Sequence, residues 1–390
     1  MEVTRRKRLW NRWFVLVWLI SLCGGLGQNV LLNAVPLYVG AETTGTLSLA
    51  YAAFAVGGRL LGGWLADRKS RRLTFVVGCA VFCVSVLLFG IFSALPMLML
   101  LRGLHGAGFS FVNTTASVAS VDVVPPEQGS RSVGVFWVSM ALAGGLAGYI
   151  VLWLNRDGDL SLVFWATAAI LAVGTVLSLL CRYEKAGEEG VVRSETPRVT
   201  GARRWAAYRD ALPAAVIMFL VSVSLSSVNT YAMLLASDRD YPDTGLFFLL
   251  SYGSVIAAAL CAARLSEKLG AKTCLALGSG FFLVCALLVA WLEQPVFFYL
   301  LGVAYGVLCG LNNTITNVLA IQGLPMHLRG TGSSMLFVCQ DLAFGLGGTV
   351  WGWTISGAGY GAVYTGAALF AAAGAALAWV FAAKGMFHLR

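Results

Sequence analysis

Apolar runs near residues 13–38, 44–66, 73–93, 95–121, 131–154, 160–181, 211–236, 244–266, 272–292, 295–321, 330–356 and 360–383 take up most of this 390-residue chain. Each reaches about the 20 residues that a helix needs to cross hydrocarbon. A helix also satisfies its own backbone where lipid offers no partners. The composition, 58% apolar and 12% charged, is too oily for a soluble domain of this length. The sequence therefore predicts an all-α membrane protein with twelve transmembrane helices, numbered here as spans 1 to 12. The first run continues past the usual core of a signal peptide and lacks a small-residue cleavage site, so it reads as span 1.

Basic residues orient the spans. Arg5, Arg6, Lys7, Arg8 and Arg12 precede span 1, Arg68, Lys69, Arg71 and Arg72 lie between spans 2 and 3, and seven more fall between Arg182 and Arg209. Of 27 Lys and Arg residues, only Arg156 and Arg239 fall in loops on the other side. The asymmetry predicts that both termini are cytoplasmic. It also accounts for the net charge of +9 as attraction to anionic lipid, with no nucleic-acid partner. The nine cysteines sit in or at the ends of apolar runs and none clusters with histidines at metal spacing, so they read as packing residues.

A hydrophilic interval at 182–210 divides the chain into residues 1–181, a cytoplasmic linker, and residues 211–390. The two sides register at a single offset. Asn29 matches Asn229, Asp67 matches Glu267, Gly106 matches Gly306, Asn113 matches Asn313 and Pro125 matches Pro325. A shared offset marks an internal repeat. Two copies of six spans each have the same orientation, which predicts two pseudo-symmetric six-helix bundles related by an axis along the membrane normal.

Three motifs carry a resemblance to the major facilitator superfamily of transporters over essentially the whole chain. Gly63, Asp67, Arg68, Arg71 and Arg72 match the family loop pattern G-x-x-x-D-[RK]-x-G-R-[RK], with Ser70 where the family has glycine. Leu98, Arg102, Gly106 and Gly108 resemble the span 4 pattern L-x-x-x-R-x-x-Q-G-x-G, with His105 in the glutamine place. The run from Asp341 to Gly347 resembles span 11 of bacterial drug and metallophore exporters. Ala147-Gly148 stands where antiporters of the family carry Gly-Pro.

The loop motif reads physically as an electrostatic latch on the cytoplasmic face. Asp67 ends span 2, Arg71 lies one turn beyond and Asp122 ends span 4, so a carboxylate, a guanidinium and a second carboxylate can form a chain. The resemblance gives Asp67, Arg68, Arg71, Arg72 and Asp122 that gating role, with Glu267 and Lys268 as the echo. The competing reading is a topology signal alone.

Ionisable residues inside the bilayer cost several kcal/mol unless they meet partners or water. Arg102 and His105 lie on span 4, on a stripe that also carries Asn113, and Asp341 lies near the middle of span 11. Asp341 is the one acid well inside a span, so it is either a proton site or a hydrogen-bond anchor. Arg102 either holds a substrate carboxylate, tunes a nearby acid or caps carbonyls between helices. His105 is either a proton carrier or a neutral buried donor.

Gln28, Asn29 and Asn33 on span 1, Asn113 on span 4, Asn229 and Tyr231 on span 7, and Asn312, Asn313 and Asn317 on span 10 are candidates for a substrate cavity. By resemblance, these four spans line the transport path. Amides are also glue between helices. The small-residue runs at Gly144, Gly145 and Gly148 and at Gly345, Gly347 and Gly348 read as close helix packing.

The sequence holds no nucleotide loop, zinc pair or nucleophile elbow, so neither an enzyme nor a cofactor is predicted. The leading expectation is a monomeric, proton-coupled exporter of a small amphipathic molecule in the plasma (cytoplasmic) membrane, with the small molecule, protons and the lipid bilayer as partners. Uptake by symport or facilitation is a second reading. A non-transporting sensor or assembly factor is a third.

Overall fold

The computed structural model describes residues 9–125, 128–183, 201–321, 324 and 329–384, without the side chains of 66–68, 129–131, 201–207, 263 and 329–331. Among the described residues there are ten helices and no strand. They are α1 (Arg12–Arg68), α2 (Arg71–Phe89), α3 (Leu95–Asp122), α4 (Gly129–Leu154), α5 (Leu160–Leu180), α6 (Gly201–Asp238), α7 (Thr244–Leu269), α8 (Ala271–Trp291), α9 (Pro295–Ile321) and α10 (Arg329–Ala383).

Two of these are too long for one crossing. α1 has 57 residues and α10 has 55, which at a rise of ~1.5 Å per residue far exceeds the ~30 Å hydrocarbon core. Each contains one residue with non-helical backbone: Gly40 at φ 76, ψ 173 in α1, and Gly359 at φ 74, ψ 179 in α10. Glycine enters this left-handed region without the clash of a Cβ. The chain turns back at these two residues, so α1 comprises spans 1 and 2 and α10 comprises spans 11 and 12. The twelve predicted spans are thus all present, although at two of the turns the helices follow one another with a single non-helical residue between them.

The helices fall into two compact units, Met1–Leu31 with Ala53–Glu195, and Leu32–Ala52 with Thr196–Arg390. In the first unit α2 packs on α3 and α5, and α4 packs on both α3 and α5. Its core joins Phe14, Val17 and Ile20 to Phe75, Val112, Ala116 and Phe136. In the second unit α10 packs on α6 and α8, and α9 packs on α6, α7 and α8.

Segment 32–52 enters the second unit through small residues. Gly345 lies against Ala52, Gly348 against Ser48, and Thr349 donates its hydroxyl to the Gly45 carbonyl at 2.7 Å. Gly347 meets Ser226 on α6. In lipid there is little hydrophobic drive between helices, so such close backbone approach and interhelical hydrogen bonds supply the association.

Candidate functional site

The loop motif sits between two helix ends and a cap. Ser70 has extended backbone, φ −171, and its hydroxyl accepts from the Leu73 amide at 3.3 Å, so it is the N-cap of α2. This explains serine where the family pattern has glycine, because serine is among the preferred capping residues. Arg71 and Arg72 then occupy the first turn of α2, where the helix dipole disfavours cations. Both find partners in the first unit. Arg71 pairs with Asp122 at the end of α3, with side-chain exposures of 15% and 8%. Arg72 donates to the Leu179 carbonyl near the end of α5. The side chains of Asp67 and Arg68 lie outside the described residues. At the equivalent place in the second unit Glu267 and Lys268 are exposed at the end of α7. No ion pair to either occurs among the described residues, and Ala271 and Gln322 stand where the first copy has Arg71 and Asp122.

Deeper in the first unit, α3 carries a buried polar chain. Arg102 Nη1 lies 2.9 Å from His105 Nδ1, and His105 Nε2 lies 2.7 Å from Gln28 Oε1 on α1. A guanidinium can only donate, so Nδ1 must accept and the ring proton sits on Nε2, donating to Gln28. His105 is therefore neutral in this arrangement. It is fully buried, with Phe82 stacked on it at 4.6 Å and 8°. Arg102 is 2% exposed and held against the ring. Asn29 donates to the Gly25 carbonyl one turn back at 2.9 Å, and Asn113 is half-buried on α3.

The second unit holds a different set. The hydroxyls of Tyr305 on α9 and Tyr252 on α7 both donate to Asn229 Oδ1 on α6, at 3.2 and 3.4 Å. About two and three turns further along α9, Asn313 accepts from Gln340 Nε2 of α10 at 3.2 Å, and Asn317 donates to Ser333 Oγ at 3.0 Å. Asp341, adjacent to Gln340, is 8% exposed. It shares a flank of α10 with Gly345 and Gly348, at helical spacings of four and seven residues.

Five of the sequence candidates for the cavity are buried, Gln28 and Asn29 described above among them. Tyr231 is fully buried and donates to the Gly348 carbonyl at 2.5 Å, which makes it an anchor between α6 and α10. Asn312 is also fully buried, with its amide on Met218 Sδ at 3.0 Å, and Asn33 is 4% exposed. Tyr252 and Tyr305, by contrast, are not among the sequence candidates, which are mostly amides and charges. Tyr305 was detectable, since it falls at the repeat offset from His105.

The comparisons with known proteins agree with this architecture. A family model described as Major Facilitator Superfamily matches residues 17–348. Quinolone resistance protein NorA of Staphylococcus aureus (strain MSSA476) is 23% identical over 243 residues, which cover 60% of this chain and 61% of NorA. Multidrug resistance protein MdtG of Escherichia fergusonii is 29% identical over 193 residues, 45% of each chain. This chain therefore aligns with less than two thirds of the length of either relative. Among solved structures, the nucleoside transporter NupG superposes with a TM-score of 0.75 at 14% identity, covering 96% of this chain and 99% of NupG. The peptide transporter POT in complex with sulfate gives 0.74 at 14%, covering 96% of each. At such identities the likeness shows the fold. With twelve spans, an internal repeat and a family match across 17–348, this chain belongs to the major facilitator superfamily of multi-pass membrane transporters.

Proposed function

We propose that the protein is a secondary active transporter of the plasma membrane, which exports a small amphipathic molecule, a drug-like compound or a metallophore, by proton antiport through alternating access. Asp341 carries this reading. It is the one acid well inside a span, it is buried, and its neighbour Gln340 is bonded to the amide of Asn313. An ionisable residue inside a span is by default a candidate for an ion pathway. The similarity to two proteins named for drug resistance supports export. In this reading both termini face the cytoplasm, the protein works as a monomer without a cofactor, and the Arg71–Asp122 pair with Asp67 is a cytoplasmic latch.

The test is flux in proteoliposomes, with ethidium and a fluoroquinolone as probes. A pH gradient is expected to drive accumulation by the native protein. Asp341→Asn is expected to lose that accumulation and keep counterflow of probe against probe, because exchange needs the binding site but no net protonation. Full pH-driven accumulation by the Asn variant would show that the proton travels elsewhere.

Uptake is the second reading, and one observation favours it. α4 runs through Ala147 and Gly148 as part of one helix, Gly129–Leu154, without the proline of family antiporters. The direction of pH-driven flux in right-side-out and everted vesicles separates the two.

A further inference from the structure

We propose that Asn229, Tyr252 and Tyr305 form a ligand subsite in the second unit, which takes a flat aromatic ring bearing an uncharged carbonyl oxygen. The proposal rests on the transport reading above and specifies part of its substrate. Along α6, every residue from 221 to 233 is buried except Asn229, which is half-buried. An amide that is neither in the core nor at a helix end has to face something polar.

That side is not lipid. On α9 the exposed apolar residues Val296, Leu300 and Val318 mark the face turned to the acyl chains. Tyr305, whose hydroxyl reaches Asn229, lies on the opposite face of α9, at about 100° of rotation per residue. Two phenol donors occupy Asn229 Oδ1. Among the described residues no acceptor is bonded to Asn229 Nδ2, so two N–H donors remain for a ligand. The Tyr252 and Tyr305 rings meet edge to face, with centroids 6.5 Å apart and planes at 69°; Tyr305 is buried and Tyr252 half-buried, so a planar group would stack on the open side of Tyr252.

Charge narrows the class further. Every Lys and Arg between 211 and 383, namely Arg239, Arg264, Lys268, Lys272 and Arg329, sits at the end of a span. A carboxylate drawn to the Asn229 amide would be desolvated, with the cations of this unit held at the span ends. A ring carbonyl accepts the same hydrogen bonds without that cost.

The probes are acridone, a fluorescent planar ring with a carbonyl, and acridan, its counterpart with CH₂ in that place, titrated against the full-length protein in nanodiscs. The native protein is expected to prefer acridone by about tenfold, the effect of one good hydrogen bond in a desolvated site. Asn229→Asp keeps the oxygen that both tyrosines bond and replaces the N–H donors by an acceptor. It is expected to remove the preference while acridan still binds, which shows that the site is folded; the unpaired carboxylate lowers the melting temperature. Asn229→Leu, which also strands the two tyrosine hydroxyls, is expected to remove the preference at a cost in melting temperature. Failure of the native protein to bind acridone, or an unchanged preference in folded Asn229→Asp, would overturn the subsite. Altered preference in a protein that moves no ethidium would leave the subsite standing and reject the transport reading instead.

Discussion

Arg72 sets its guanidinium on the carbonyl oxygen of Leu179, with Nε at 3.1 Å and Nη2 at 2.8 Å, and so ties the start of α2 to the last turn of α5. Carbonyls in the last turn have no helical donor, and a cation there also opposes the negative end of the helix dipole. At the 200-residue offset stand Lys272 and Trp379, with Nζ 4.5 Å from the ring centroid. The repeat keeps a cation from the start of its third span against the end of its sixth, while a forked hydrogen bond in one copy becomes a cation–π contact in the other.

Arg72→Ala is expected to lower the stability of the protein by about 0.5–1.5 kcal/mol, the net worth of an exposed charge-assisted contact. Arg72→Lys, which cannot fork, is expected to fall between. Thermal unfolding in detergent measures both. A native melting temperature for the alanine variant would mean that water replaces the contact without loss.

The Arg71–Asp122 pair is more buried, so removal of one partner is expected to cost about 3 kcal/mol, with the double variant Arg71→Ala/Asp122→Ala costing less than the sum. A double-mutant cycle on melting curves gives the coupling. In the latch reading Asp67→Asn lowers transport while the amount of folded protein in the membrane stays constant. Unchanged rates would reduce the motif to a topology signal.

His105→Gln installs the family residue. Its amide can accept from Arg102 and donate to Gln28, so gradient-driven transport is expected to survive with the same pH profile. His105→Leu strands the Arg102 donor and is expected to destabilise the fold by about 1–3 kcal/mol. A flattened pH profile in His105→Gln would make His105 the proton carrier.

Glycine packing gives a matched pair. A Cβ on Gly306 would run into the Ser251 carbonyl and Ser254 of α7, whereas one on Gly280 meets nothing within 4 Å. Gly306→Ala is expected to cost about 1–3 kcal/mol by overpacking. Gly280→Ala, inside α8, is expected to stabilise by about 0.5–1 kcal/mol. Equal effects in thermal unfolding would show that helix separation relaxes freely.

Orientation is open to chemical labelling. Single cysteines introduced at Gly187 and Asp240, in a background without the nine native cysteines, are treated with an impermeant thiol reagent in intact cells. Only the second is expected to react, and labelling at Gly187 would reverse the predicted topology.

Span count, helical class, the repeat and the family all followed from the sequence, because a bilayer lets apolar length stand for a helix and because Asn29 and Asn229, or Asp67 and Glu267, can be matched without knowing where they point. The pairing of Arg71 with Asp122 was also legible, since both lie at helix ends of known spacing. Contacts across helices were not. His105 has its tautomer fixed because Arg102 donates to one ring nitrogen and α1 brings the Gln28 acceptor to the other, Tyr231 is an anchor because α10 presents the Gly348 carbonyl, and Asn229 is singled out because two tyrosines from α7 and α9 converge on it. The turns fall in the predicted gaps at 39–43 and 357–359, but which residues make them, Gly40 and Gly359, was not legible. A positive φ is a backbone state that many glycines permit, and only the packing of the flanking spans selects which ones adopt it.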